Sequence, residues 1–557
     1  MQCGIGRFGL KWDAFLGVGA AAAALALAPV VALALIALRA GEGQWRHLAA
    51  NVLPDSAYET LVLSAGVLAF VVVVGTACAW IVTAFDFPGR RVVETLLLLP
   101  LAFPAYVLAY AWLDLTHPVG PLQSGLRALL GYARPSDFRL PDLRTLPGAM
   151  LIFGLALYPY VYVAARAVFL SQMTNLAEAA RMLGKSGATI FFRIALPLAR
   201  PAIAAGGALA LMETLNDIGA AEFLSVNTLT AAVYSTWVNR SDLPGAAQIA
   251  LAMLIFVLLL VVMERMGRGG RSYAVIGRNM RPLAPRRVEG FAGLALAALV
   301  TLPALFGFIA PAAHLVYQAF LRLAHAGMPG EILAETGNSL LVAVLTTLVC
   351  VAGALMVTGG VRLMRSPLRR ALLQISAVGY ALPGTVLAIG LLVVLGGLDA
   401  LVRGGAALLG AKPPGLLFSA SLTAIVLALS LRFFRLATSK IETGLERLSP
   451  SLDNAARTLG RSPFAVLREI HLPLLKPTIA GAALLVFVDC MKELPATLLL
   501  RPMNFETLST HLYGEAARGT YENGALAACV IVAFGLLPVA LLTRLGRRES
   551  EAREERS

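Results

Sequence analysis

This sequence is poor in charge. Only 14% of its 557 residues are Asp, Glu, Lys or Arg, while 58% are hydrophobic and the mean hydropathy is +0.77. A soluble globule of this size has no use for so much apolar surface, which leaves a polytopic membrane protein. Cysteine is sparse too. Cys3, Cys78, Cys350, Cys490 and Cys529 are scattered, four of them inside apolar segments, and no pair has CxxC spacing. That argues against a disulfide framework and against a cysteine metal cluster. The six histidines form no HxxH or HExxH. No residue is expected to be catalytic or to ligate a resident metal. Gly184-Lys185-Ser186 spells the end of a phosphate-binding loop. Such a loop also needs a preceding strand and a glycine five positions upstream, where Ala179 stands, so ATP is not bound by that route.

What is present is a series of long apolar runs. Charge-free stretches of roughly 19 residues or more lie at 14–38, 60–85, 95–113, 145–165, 243–263, 290–321, 336–361, 371–398, 413–431 and 523–543. Two more begin at Pro201 and Pro477, are interrupted at Glu213 and Asp489, and resume more weakly. Together they predict about twelve spans, six on each side of a basic connector at 265–288. The run at 14–38 is too long for the apolar core of a signal peptide and is expected to be a retained helix. The formal charge of +14 is concentrated in short loops between spans, so it indicates a lipid bilayer and not nucleic acid. Arg90 and Arg91, the connector, Arg362 to Arg370 and the tail after Arg544 fall on one side. That side is expected to be the cytoplasm, with both termini in it. The loop 116–144, with four arginines on the outer side, is a mild exception. The charged tail is expected to be disordered.

One polar, basic stretch occurs twice. Glu178 to Ile203 aligns without a gap on Asn454 to Ile479. Ala179-Ala180-Arg181 matches Ala455-Ala456-Arg457, Gly184 matches Gly460, and Leu196-Pro197 matches Leu472-Pro473. Apolar spacing in each copy predicts two short helices joined at the glycine, with the Leu-Pro pair ending the insert. The repeat continues outside. Pro104 pairs with Pro383, and Glu213 and Asp217 pair with Asp489 and Glu493. Thr228 and Tyr234 pair with Thr507 and Tyr513. Two parallel halves imply a pseudo-twofold axis along the membrane normal. The segments are 1–56 (N-terminus, first span, outer loop), 57–264 (first core), 265–288 (connector), 289–334 (seventh span and outer loop), 335–541 (second core) and 542–557 (tail).

The Glu-Ala-Ala, Gly and Ile-x-Leu-Pro spacing resembles the EAA loop of permeases from binding-protein-dependent ABC importers. The segments 99–112, 157–170, 211–224 and 487–502 further resemble the fused permeases of ferric-iron uptake. Fused thiamine permeases resemble these segments less. The resemblance implies an all-α inner-membrane permease of type I, with no cofactor of its own. It implies two copies of an ATPase subunit carrying ATP and Mg, docked at Glu178, Ala179, Ala180, Gly184, Leu196 and Pro197 and at Asn454, Ala455, Ala456, Gly460, Leu472 and Pro473. A periplasmic binding protein would deliver the cargo. Asn454 departs from the pattern, with Asp453 beside it, so a salt bridge made by Glu178 would be missing or shifted in the second copy.

Carboxylates inside a membrane are costly, roughly +2.5–3.5 kcal/mol on insertion scales. The spacing of Glu213 with Asp217, and of Asp489 with Glu493, predicts one helix face for each pair, turned inward to line a cation path. The structural alternative is that they cap short helices or pair with Lys492 or Arg501. Tyr106, Tyr110, Tyr158, Tyr160 and Tyr162 are more simply explained as interface aromatics, and Pro104, Pro159 and Pro383 as helix bends. Rival functions are a thiamine or other small-solute permease, a proton-coupled secondary transporter and a membrane scaffold.

Overall fold

The computed structural model describes residues 14–39, 41–172, 180, 182–268, 285–364 and 366–554. Among them the chain is all-α except for a two-residue parallel pairing, Phe85–Asp86 with Arg286–Arg287. Among the described residues nine helices are long and apolar enough to cross a bilayer, and two sharply bent helix pairs bring the number to eleven. The shorter apolar helix Leu243–Leu259 is a twelfth candidate.

The chain condenses into two units that cut across its sequence halves. One unit joins Met1–Arg39 to Gly337–Phe505, and the other joins Ala40–Thr336 to Glu506–Ser557. In the first unit the helix Ala14–Ala37 packs on Pro367–Ser376 and on Gly384–Leu408, which belong to the second half of the sequence. In the other unit, helices Leu53–Ala84, Leu146–Gln172 and Leu196–Asn216 pack together. The contact depends on glycine. A Cβ on Gly75 would lie 2.8 Å from the Tyr158 carbonyl, and one on Gly206 would lie 2.7 Å from that of Tyr160. Helix Ala310–Ala326 and the C-terminal helix Tyr521–Glu554 join this same unit.

Several expected spans differ. The run 95–113 is bent by 97°, because Pro104 caps Ala105–Leu115 with extended backbone and cannot continue the preceding helix. Pro383 likewise starts Gly384–Leu408, whereas Pro159 lies inside the continuous helix Leu146–Gln172. The run 413–431 yields a helix only from Leu422, capped by the Ser421 hydroxyl, and that helix extends to Glu446. The tail expected to be disordered is helical to Glu554, continuing the last span. Tyr106, Tyr110, Tyr158 and Tyr162 are fully buried in protein, so they are not a headgroup belt. The Tyr158 hydroxyl donates to the Leu97 carbonyl at 3.1 Å, which satisfies a polar group in a dry core.

Candidate functional site

The second insert is a helix–turn–helix. The Ser449 hydroxyl caps Pro450–Thr458. The chain then turns through Gly460 at φ +73°. Backbone N–H groups of Gly460 and Arg461 donate to the carbonyls of Arg457 and Ala456, each at 3.0 Å, closing the helix end as a left-handed glycine cap does. The Ser462 hydroxyl caps Pro463–Val466, a π turn covers Leu467–His471, and Leu472–Leu474 follows. Of the predicted docking residues, Ala456 is buried against Leu363 and Val466, while Asn454, Ala455, Leu472 and Pro473 are exposed.

The first insert repeats this plan. Glu178 and Ala179 lie outside the described residues. Ala180 is buried, its carbonyl accepts from the Lys185 N–H at 3.0 Å, and Gly184 turns at φ +70°. Ser186 caps Gly187–Ile190, and a π turn covers Phe191–Ala195, at the positions matching Leu467–His471. Neither glycine has a neighbour within 4 Å of where a Cβ would sit. The glycines are therefore required for their dihedral, and the space over them is open. At matched positions each turn presents a leucine to solvent, Leu183 at 76% and Leu459 at 80% exposure.

The expectation that Leu-Pro ends both inserts holds in only one. In the first copy helix runs unbroken from Gly187 to Asn216, through Leu196, Pro197 and Pro201. The π turn just upstream widens the helix where Pro197 would otherwise clash with the carbonyl four residues back. In the second copy an 81° bend separates Pro463–Leu474 from Lys476–Met491.

The two copies are also anchored differently. Phe191 packs on Trp80 with ring centroids 5.1 Å apart, and Trp80 in turn meets Phe169 edge-on. In the second copy Asp453 receives Arg362 Nε and His471 Nε2, both at 2.7 Å. Burial pushes the Asp453 carboxyl up, but the His471 and Arg362 hydrogen bonds outweigh it and hold it below the usual carboxylate range. Arg362 also donates to the carbonyls of Leu445 and Leu448. Asp453 is thus spent inside the protein and does not replace Glu178 as a surface charge. The sequence carried no sign of this knot, because Arg362 and His471 are distant in the chain.

The four acids are not paired on helix faces. Helix Leu196–Asn216 carries Glu213 but stops before Asp217, which is extended and caps Ile218–Phe223. The Asp217 carboxylate accepts from the N–H of Ala220 at 2.8 Å and of Tyr106 at 3.1 Å. Helix Lys476–Met491 carries Asp489, which pairs with Lys492 at 2.8 Å. Glu493 lies beyond that helix and accepts from Ala496 N, Thr497 N and the Thr497 hydroxyl. Arg432, a residue the sequence did not single out, completes the set at 2.7 Å. The physical reason is the same in both halves: a carboxylate satisfies the free N–H groups of a new helix start, and that start breaks the span. Among the described residues no group of three or more His, Cys, Asp or Glu could hold a metal.

The model of the "Binding-protein-dependent transport system inner membrane component" family matches residues 71–266 and again 341–551. The chain belongs to this family, in two fused copies. It is 25% identical to the Fe(3+)-transport system permease protein FbpB 2 of Haemophilus influenzae, over 87% of this chain and 88% of the relative. It is 27% identical to the molybdenum transport system permease protein ModB of Escherichia coli K12, over 40% of this chain and 99% of the relative. A putative 2-aminoethylphosphonate transport system permease protein, PhnV of Salmonella typhimurium, is 37% identical over 20% of this chain and 42% of its own length. The fold is that of a type I ABC importer permease. The chain is an inner-membrane, multi-pass subunit of a transporter. It is not an enzyme: the ATPase is a separate subunit, and a substrate-binding protein is the other partner class.

Proposed function

We propose that this permease carries ferric iron, delivered by a periplasmic binding protein, across the bacterial inner membrane. One observation carries the cargo. The similarity to the ferric permease extends over nearly the whole of both chains, through both fused halves, whereas the molybdenum and phosphonate permeases align over 40% and 20% of this chain. Two copies of an ATPase subunit, holding ATP and Mg, dock on the inserts 178–197 and 454–473. The exposed Leu183 and Leu459 fit grooves on the ATPase surface, while Ala180 is buried and Ala456 packs on Leu363 and Val466. ATP-driven closure of the two ATPases moves the inserts together and turns the cavity outward. Both termini face the cytoplasm, on the arginine-rich side. Glu213, Asp217, Asp489 and Glu493 border the translocation path, Asp217 and Glu493 by holding the helix breaks open. A deep permanent metal site would stall transport, so path ligands are few and weak.

The test is uptake of radiolabelled ferric iron in cells lacking this gene and any redundant iron importer, with and without the gene restored. Restored uptake supports the cargo. Uptake that does not respond to the gene removes iron and makes thiamine the next solute to try.

A further inference from the structure

A cavity of about 630 Å³ opens within the unit formed by Ala40–Thr336 and Glu506–Ser557. It is lined by the segments at 51–56, 222–240 and 513–521 and by Arg144, at the end of the loop 116–144 that the orientation of the other loops puts on the outer side. Its wall is irregular where irregularity is costly. Ser225 stands at φ +56°, in the left-handed region that favours glycine. Ser235–Asn239 is a π turn. Such features persist only where surrounding structure enforces them. Here the Asn227 N–H donates to Glu59 at 2.6 Å and braces the Ser225 turn.

In this wall the Tyr513 hydroxyl donates to the Glu222 carboxylate. The Tyr513 ring is held by Phe223, with centroids 5.7 Å apart, and edge-on by Tyr234 at 6.2 Å. Tyr234 and Tyr513 are repeat-equivalent. The same position of both sequence repeats therefore meets in this one wall, inside a single unit. The register that pairs Asp217 with Glu493 pairs Glu222 with Leu498. The carboxylate is therefore present once, and the site is single.

We propose that Glu222 and Tyr513 form a transient ligand pair for a ferric ion at the outer mouth of the path, a site that rests on the ferric reading above. Ferric iron is a hard cation that favours anionic oxygen, and a carboxylate beside a phenol supplies two such donors. On binding, the Tyr513 phenol loses its proton to water as the oxygen–iron bond forms, and iron stays ferric. Asp55 and Glu222 are balanced in the lining by Arg144 and Arg240, so the cavity as a whole is not a cation trap. The ion enters with small oxygen anions still attached, and the arginines receive those anions. Arg144 is held at the cavity lining by a 3.1 Å hydrogen bond to the Tyr521 hydroxyl. Two protein ligands are too few to hold iron firmly, which suits a site that must release it.

The test uses the full transporter, with its ATPase, in lipid nanodiscs titrated with ferric nitrilotriacetate. A phenolate bound to ferric iron gives a visible charge-transfer absorption band. The expected result is a saturable band in the wild type that is lost in Tyr513→Phe and retained in Tyr132→Phe, a tyrosine of the exposed outer loop. Glu222→Gln should keep the band but weaken half-saturation about tenfold. It serves as the second variant if Tyr513→Phe does not fold. A band that persists in folded Tyr513→Phe, or no band in a wild type that imports ferric iron, overturns the site and leaves the cargo standing. A wild type with the band but without iron uptake supports the site and overturns the cargo. Absence of both overturns both.

Discussion

The two inserts share a plan and differ in how they are fastened. Both have a glycine turn near φ +70°, a serine-capped helix after it and a π turn at the same register. The first is anchored by Phe191 on Trp80 and continues straight into its span, while the second is held by Asp453, Arg362 and His471 and bends by 81°. Ala177 and Ala195 stand where the second copy has Asp453 and His471, so the ionic knot cannot form in the first. The difference shows which parts of the insert answer to the partner and which to the host core. Glycine and the exposed leucine are common to both copies, and the anchor is free to be aromatic or ionic.

The largest effect should come from what the copies share. Gly184→Asp combined with Gly460→Asp forces two side chains into left-handed backbone, at about 1–2 kcal/mol each, and places charge on the docking surface. Transport should fall to background and the ATPase should no longer co-purify, while folding by thermal melt persists. A proton-coupled transporter would instead tolerate these changes and lose transport in Glu213→Gln.

Next comes the contrast between the helix breaks. Glu493 is almost fully buried and faces Arg432, so Glu493→Gln strands a buried guanidinium and should cost about 3–5 kcal/mol. Asp217→Asn keeps a capping oxygen and should cost about 1 kcal/mol or less. Equal losses in a melting comparison would mean that the two breaks are held alike.

A smaller effect separates the anchors by pH. The Asp453 carboxyl is held below its unfolded value of about 3.9, so its stabilisation is complete above that value and is lost as pH falls through the folded one. Asp453→Asn should lower the melting temperature at pH 7, and the gap to wild type should narrow as pH falls below about 3.9. Phe191→Ala should lower it by an amount that pH leaves unchanged. A gap for Asp453→Asn that is constant with pH would remove the ionic anchor from the account.

The smallest effect on stability, within about 0.5 kcal/mol, is expected for Leu183→Ala and Leu459→Ala, since both side chains are exposed. Their effect should appear only in affinity for the ATPase. A marked drop in melting temperature would place these leucines in the fold and not in docking.

The sequence by itself determined the class, the approximate number of spans, the two inserts and their glycine turns. These are local properties. Apolar length measures a bilayer, and a left-handed turn calls for glycine wherever it occurs. It also carried the family resemblance, because the Ala-Ala, Gly and Leu-Pro spacing is contiguous. Tertiary structure decided the rest. Spacing put Glu213 and Asp217 on one face because it assumed an unbroken helix, and the break arises because Asp217 can satisfy the backbone of the next helix. The arginine partners of Asp453 and Glu493 lie 91 and 61 residues upstream, and Glu222 meets Tyr513 across 291 residues. Such pairings exist only once helices pack. Packing also decided that the first span condenses with the second half and the seventh with the first. Hydropathy makes every span equally willing to be buried, and only the match of surfaces selects the neighbour.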